Sequence, residues 1–255
     1  MESFGTMMRG WRRRRRMSQQ ALSEAAEVST RHLSFLETGK AKPSRQMVLV
    51  IGSALDVPLR DRNDLLEAAG YAPAYGARDL GSPGMQAVQQ ALDFVLDRFD
   101  PNPALAVDRA YTTLAMNKGA ARLSAHFIDP DPDLARVANN AMHLLFHPKG
   151  LSRWIVNWER IGGLTLQRMQ REARRDPRIS GALLDAILAY PNVPEPRPWE
   201  GDEVLVPVHL ARGGVELRFA VLLTTLGSAL DVTAQDLTVE TYFPMDEATE
   251  RWLTG

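Results

Sequence analysis

The sequence predicts two domains of different class: an all-α head of five short helices carrying a helix-turn-helix, then an α+β body in which helices cover an antiparallel sheet. Three observations predict it. Ser, Pro and Gly cut the first 75 residues into short runs of apolar residues at helical spacing. Two of these runs are about eight residues long and meet at a tight turn, Ala26-Glu27. Far downstream, Val215, Leu217, Phe219, Val221 and Leu223 alternate with a period of two, the pattern of a strand with one buried face.

In the head, helices are expected near 4–16, 18–26, 29–37, 44–55 and 59–69. Ser18, Ser29 and Ser44 stand where a side-chain oxygen can accept an orphan backbone N–H, and Gly39 and Gly70 stand where a helix ends in the left-handed conformation. Leu22, Ala25 and Ala26, then Leu33 and Leu36, then Val48, Ile51 and Leu55 supply the apolar faces. Leu22, Val28 and Leu33 are expected to point inward around the turn, leaving the polar start of the third helix outside. A recognition helix offers such a start to base edges in the major groove.

The head is placed at 1–75, a Gly/Pro-rich linker at 76–84 and the second domain at 85–255. Val88, Leu92, Val95 and Phe99 predict a helix that Pro101-Asn102-Pro103 ends. Ala104–Met116 reads as a two-strand hairpin around Asp108-Arg109, and Asn117 opens a short helix. Helical segments follow near 133–147, 152–175 and 179–189, then a Pro-rich loop over 191–198. Strand-like runs at 203–210, 215–226 and 237–243 complete the sheet.

Charge separates the two parts. Residues 1–78 hold 13 Lys and Arg against 8 Asp and Glu, whereas the remainder holds 17 against 23. A basic head on an acidic body suggests that the head meets a polyanion. The 255 residues, 45% hydrophobic and 24% charged, exclude wholesale disorder. Cysteine is absent, which removes disulfides, zinc ribbons, iron–sulfur clusters and cysteine nucleophiles and suits a reducing compartment. The longest uncharged apolar stretch, Phe219–Leu230, has twelve residues; a spanning helix needs ~20. The arginine run is followed by polar residues and does not read as a signal peptide, so a cytoplasmic protein is expected, with no membrane partner.

Ser18-Gln19, Ser29, Leu36-Glu37-x-Gly39, Pro43-Ser44 and Ala54-Leu55 stand at the openings and ends of the second to fourth helices. On these residues the stretch from Trp11 to Pro73 resembles the XRE-type helix-turn-helix transcription regulators. The resemblance implies that Gln19 contacts a phosphate, that Thr30, Arg31 and Ser34 approach bases, and that Lys40, Lys42 and Arg45 touch the DNA backbone. Gln20, Ser29 and His32 complete the expected double-stranded DNA surface. The family places Gly where Glu27 stands and Ala where Ser23 stands. Glu37 is expected as a structural partner, because phosphate repels a carboxylate. Arg12–Arg16 cannot share one face, since five residues turn through roughly 400°. One or two of them are expected to reach phosphate.

The second domain carries Pro103-Ala104, Asp108-Arg109, Asn117, Ala120-Ala121, Asn140, Leu144-Leu145-Phe146, Trp158-Glu159, Arg168 and a closing stretch from Gly227 to Pro244. On these it resembles the MmyB-like ligand-binding domain, a PAS-like fold that follows this kind of head. The Asp-Pro-rich loop at 129–133 departs from the family. A PAS-like sheet covered by helices implies an apolar pocket between them. Expected ligand-binding residues are Asn117, Met142, Leu145, Phe146, Trp154, Trp158, Met169, His209, Phe219 and Leu223, with Trp154 and Trp158 on one helical face. Without a glycine-rich phosphate loop a nucleotide is not expected, and a fatty acid or similar acyl lipid is. Arg109, Arg122, Asn157, His143 and His209 are the candidates for its carboxylate. No other cofactor is required.

No HExxH, GxSxG, GxxxxGK or GxGxxG is present. His143 and His147 have a metal-compatible spacing but no third ligand, and no motif surrounds Lys118 or Lys149 for a Ser–Lys dyad. No catalytic or metal site is expected, and the protein is expected not to be an enzyme. The reading is a homodimeric, ligand-responsive regulator, since one half-site gives a single helix few bases. The alternatives are a constitutive DNA-binding interaction protein with a filled core and a small-molecule enzyme with a DNA-anchoring head.

Overall fold

The computed structural model describes residues 2–196 and 204–255. The end of the expected loop, Arg197 and Pro198, and the start of an expected strand, Glu203, lie outside the described residues. The chain divides into two compact units, one formed by the chain up to Gly84 together with Gly227–Gln235, the other by Met85–Leu226 together with Asp236–Gly255.

The first unit contains α1 (Phe4–Arg14), α2 (Gln19–Ala26), α3 (Thr30–Glu37), α4 (Arg45–Ala54) and α5 (Leu59–Ala68). Local chemistry sets their starts. Ser3, Ser18, Ser29 and Ser44 accept hydrogen bonds from the N–H groups of Thr6, Ala21, His32 and Met47. Met8, Leu22, Leu33, Leu36, Ile51 and Leu65 are buried at its centre. Ala25 is exposed: on α2 the inward stripe is carried by Leu22 and Ala26, four residues apart, and Ala25 falls beside it. A Cβ at Gly5 would collide with the Leu36 carbonyl oxygen, so glycine lets α1 cross α3 closely. The α2 terminus is strained, with Glu27 left-handed at φ 53°, ψ 39°.

Pro58 precedes α5 and offers no side-chain cap. Gln235 takes that role: its Oε1 accepts the Leu59 N–H at 2.6 Å. Asp231 accepts the Arg78 backbone N–H at 3.4 Å and pairs with its guanidinium at 3.5 Å. Val232 N–H donates to the Gly76 carbonyl at 2.8 Å.

The second unit begins with α6 (Gln86–Phe99), the hairpin β1 (Ala104–Val107) and β2 (Thr113–Met116), and α7 (Lys118–Phe127). It continues through α8 (Pro132–Ala135), α9 (Ala141–Phe146), α10 (Trp158–Arg175) and α11 (Pro177–Leu188). Then come β3 (Val208–Arg212) and β4 (Val215–Thr225); α12 (Val232–Asp236) lies almost wholly in the stretch that belongs to the first unit, and β5 (Thr238–Pro244) and α13 (Glu247–Thr254) complete the second. Among the described residues the strands form one antiparallel sheet of order β2-β1-β5-β4-β3. In its register Val221 faces Tyr242 and Leu223 faces Glu240.

Three boundaries differ from expectation. The helix expected over 133–147 is two helices, α8 and α9, because Asp131 and Asn140 each cap a new start. Asn140 also donates to the Ala110 carbonyl at 2.7 Å, fixing the break to the β1–β2 turn. The helix expected over 152–175 starts as a 3-10 turn, Leu151–Trp154, and resumes only at Trp158. Between them the backbone pairs with β3: Val156 N–H donates to the His209 carbonyl at 2.8 Å. The strand expected over 203–210 begins at Val208 and runs to Arg212, where Gly213 and Gly214 turn the hairpin at positive φ. The closing helix α13 was not expected.

Candidate functional site

In the first unit, packing of Leu33 and Leu36 on α3 turns the opposite side of that helix outward. Ser29, Thr30 and Arg31 are exposed at its start, and His32 and Ser34 are half-buried behind them. Ser29 is spent as the cap of α3, and the Thr30 hydroxyl donates to Ser23 Oγ at 3.2 Å. The Arg31 guanidinium lies 5.4 Å from the centre of the Phe35 ring. Lys40, Lys42 and Arg45 are exposed along the following turn and the start of α4. Gln20 donates to Glu24 at 3.1 Å.

Gln19 and three members of the arginine run, Arg12, Arg14 and Arg15, make contacts within the scaffold. Gln19 Nε2 donates to Glu37 Oε2 at 2.8 Å, and Arg12 grips the same carboxylate and the Met17 carbonyl. Arg15 Nε donates to the Leu55 carbonyl at 2.9 Å, and its guanidinium meets Asp56. Arg14 covers the Trp11 ring at 4.1 Å. Glu37 is thus a structural partner. Burial pushes its carboxyl up, but hydrogen bonds from Arg12 and Gln19 and the Arg12 and Arg9 charges outweigh that and hold it below the ordinary carboxylate value.

The second unit forms a partly open cavity of about 520 Å³ between the sheet and α7, α9 and α10. This lies within the usual range of small-molecule sites, ~300–1,000 Å³. Aliphatic side chains dominate its wall: Leu105 from β1, Leu123 from α7, Leu145 from α9, Leu210 from β3 and Val221 from β4. On α10 the wall is Ile161, Leu164, Thr165, Gln167, Arg168 and Arg171, one broad helical stripe. Glu240 and Tyr242, alternate residues of β5, close it from the sheet. The Tyr242 hydroxyl donates to Glu240 Oε2 at 3.3 Å. Burial pushes the Glu240 carboxyl up, more than the Arg168 charge and the Tyr242 hydrogen bond pull it down. Burial and Glu240 likewise hold Tyr242 in its neutral phenol form.

Of the ten expected ligand-binding residues, Met142 and Leu145 reach this wall. Asn117 is buried and fully engaged, accepting from Ala104 and Ala120 N–H and donating to the Leu96 and Asn102 carbonyls. Phe146 and Met169 fill a packed cluster beside the cavity, and Phe219 fills another. Trp158 packs edge-on against Phe146 at 5.1 Å, and its Nε1 donates to the Asn192 carbonyl. Trp154 lies between the Arg153 and Arg212 guanidinium groups at 4.7 and 4.6 Å, on the 3-10 turn and not on the α10 face expected for it. His209 faces Glu216 at 3.2 Å, and Leu223 is half-exposed. Among the wall residues outside the expected set are Ile161, Leu164, Thr165 and Arg168, whose helical spacing was the available signal.

His143 Nδ1 is 2.7 Å from the Tyr190 hydroxyl, and His147 Nδ1 accepts the Lys149 N–H. Lys149 pairs with Asp131 at 2.7 Å. Among the described residues no helix is long and apolar enough to cross a membrane.

The family model of the MmyB-like transcription regulator ligand binding domain matches residues 88–254. The chain belongs to that family. A helix-turn-helix domain model matches residues 3–65. In this MmyB-like regulator the matched ligand-binding region therefore opens inside α6 and closes at the last residue of α13, enclosing the whole sheet and cavity. No curated protein matches the sequence. A solved structure described as an RNA-binding Light-Oxygen-Voltage receptor aligns at 12% identity with a TM-score of 0.30, covering 98% of this chain. The chain spans 59% of that structure's length.

Proposed function

We propose that this MmyB-like regulator controls transcription by binding operator DNA through the start of α3 and an apolar acyl compound, such as a fatty acid, in the cavity. The cavity carries the reading: about 520 Å³ with aliphatic walls in a ligand-binding domain suits an extended hydrocarbon chain and disfavours a filled core. In the first unit Thr30, Arg31 and Ser34 approach bases, and Lys40, Lys42 and Arg45 take phosphates, as in an XRE-type head. The protein acts as a homodimer in the cytoplasm, by binding and not by catalysis. A ligand changes DNA affinity only if it binds the DNA-competent and incompetent arrangements differently.

Mass spectrometry of gently purified protein tests this. A co-purifying or titratable acyl lipid that shifts operator affinity is the expected result. Turnover of an offered lipid, or a melting temperature unmoved across a lipid panel, would overturn it.

A further inference from the structure

The loop that joins β4 to β5 does not fold with the strands it joins. Gly227–Gln235 belongs to the first unit, although the matched ligand-binding region runs through it. We propose that this loop, with its helix α12, is the coupling element through which an occupied cavity acts on the helix-turn-helix unit, a role that rests on the acyl-ligand reading.

Its hold on the first unit is specific. Gln235 Oε1 accepts the Leu59 N–H at 2.6 Å, supplying the cap that Pro58 does not. The Asp231 side chain is 8% exposed and pairs with Arg78 at 3.5 Å. Asp231 also accepts the Arg78 and Thr233 backbone N–H groups, the latter at 2.9 Å, which fixes the start of α12. A Cβ at Gly76 would come within 3.1 Å of Asp231 Oδ2, so the loop lies close against this stretch. Val232 and Ala234 are buried. Pulling the loop away would strand the Leu59 amide and the Asp231 carboxylate. α5 in turn shares one core with α3, through Leu65 and Leu66 on one side and Leu33 and Leu36 on the other.

The other end of the same hairpin is cavity wall. Val221 and Tyr242 face each other across the β4–β5 ladder and both line the cavity, as does Glu240 opposite Leu223. The last rung, Thr225–Thr238, stands two residues before Gly227 and three after Gln235. A guest packed on Val221 and Tyr242 therefore steadies a hydrogen-bonded hairpin whose closed end caps α5. Coupling of this kind needs an element that both sites bias, and the hairpin with its loop is one.

Hydrogen exchange read by mass spectrometry, and affinity for an operator fragment selected from random DNA, test this on the full chain with and without dodecanoate. Dodecanoate is expected to slow exchange at the start of α5 and to change wild-type operator affinity by at least about fivefold. Gln235→Met, of similar size but without the acceptor, should still bind dodecanoate and the operator, yet reduce that change to below about twofold. Gln235→Glu keeps an acceptor at the helix N-terminus and should keep the coupling. Three results overturn the loop's role and leave the cavity reading standing, given dodecanoate bound by calorimetry: unmoved exchange at α5, unmoved wild-type operator affinity, or a full change retained in Gln235→Met. Failure of dodecanoate to bind overturns both. The wild-type exchange measurement needs no variant, so a misfolded substitution does not shelter the coupling.

Discussion

Arg12 and Glu37 meet edge to edge, with Nε–Oε1 and Nη2–Oε2 distances of 2.6 and 3.1 Å, and so lock α1 to the end of α3. Both are largely buried, with 13% and 5% of their side chains exposed. Removing one partner leaves the other charge stranded, which costs about 2–4 kcal/mol for a pair this buried. Arg12→Gln should therefore lower the urea midpoint at pH 7. The Glu37 carboxyl sits below its ordinary value of 4.5 in the folded state, so its contribution is complete above that pH and is lost as pH falls through the folded value. The gap between variant and wild type should close in that acid range. A gap independent of pH would show that the pair contributes nothing.

Glu27 holds a left-handed backbone at φ 53° that glycine adopts freely. Its side chain is exposed, so no packing is lost by removing it. Glu27→Gly should stabilise the protein by up to about 1 kcal/mol, the relief of strain less the added freedom of the unfolded chain. Denaturant titration reads it directly, and a destabilised variant would refute the strain argument.

Arg31 is exposed at the start of α3, where its fork can reach guanine O6 and N7. Arg31→Ala should cost about 1–3 kcal/mol and relax selectivity at one operator position. Selection of bound fragments from random DNA gives the comparison. An equal loss on every sequence would make Arg31 a phosphate contact.

Leu164 is half-buried on the cavity wall and belongs to neither packed cluster of the second unit. Leu164→Trp should fill the void and weaken dodecanoate binding by about tenfold or more, with stability changed by less than ~2 kcal/mol. Unchanged lipid affinity in a folded variant would move the binding site elsewhere.

Much of the first unit was legible because its signals are local. Ser18, Ser29 and Ser44 reach N–H groups three residues away, so spacing alone placed the helix starts. The Arg12–Glu37 lock spans 25 residues, and an arginine run does not reveal which member turns inward. Asn140 and Asn157 sit within apolar-periodic stretches, and the periodicity masked the breaks there. The cavity was misread for a spatial reason. Selecting Met and aromatic residues picked out Phe146, Met169 and Phe219, whose bulk fills the packed clusters. A void survives where smaller aliphatics recede, so the helical stripe from Ile161 to Arg168 was the better guide.

Gln235 closes the first turn of α5 from 176 residues downstream of Leu59, and Asp231 meets Arg78 across 153. Synthesis on the ribosome proceeds from the N-terminus, so all five helices emerge before the piece that seals the last of them exists. The cap of α5 is therefore completed only after β4 has been made. A gene fragment stopping at Gly84 would yield an α5 whose leading amide is left open to water.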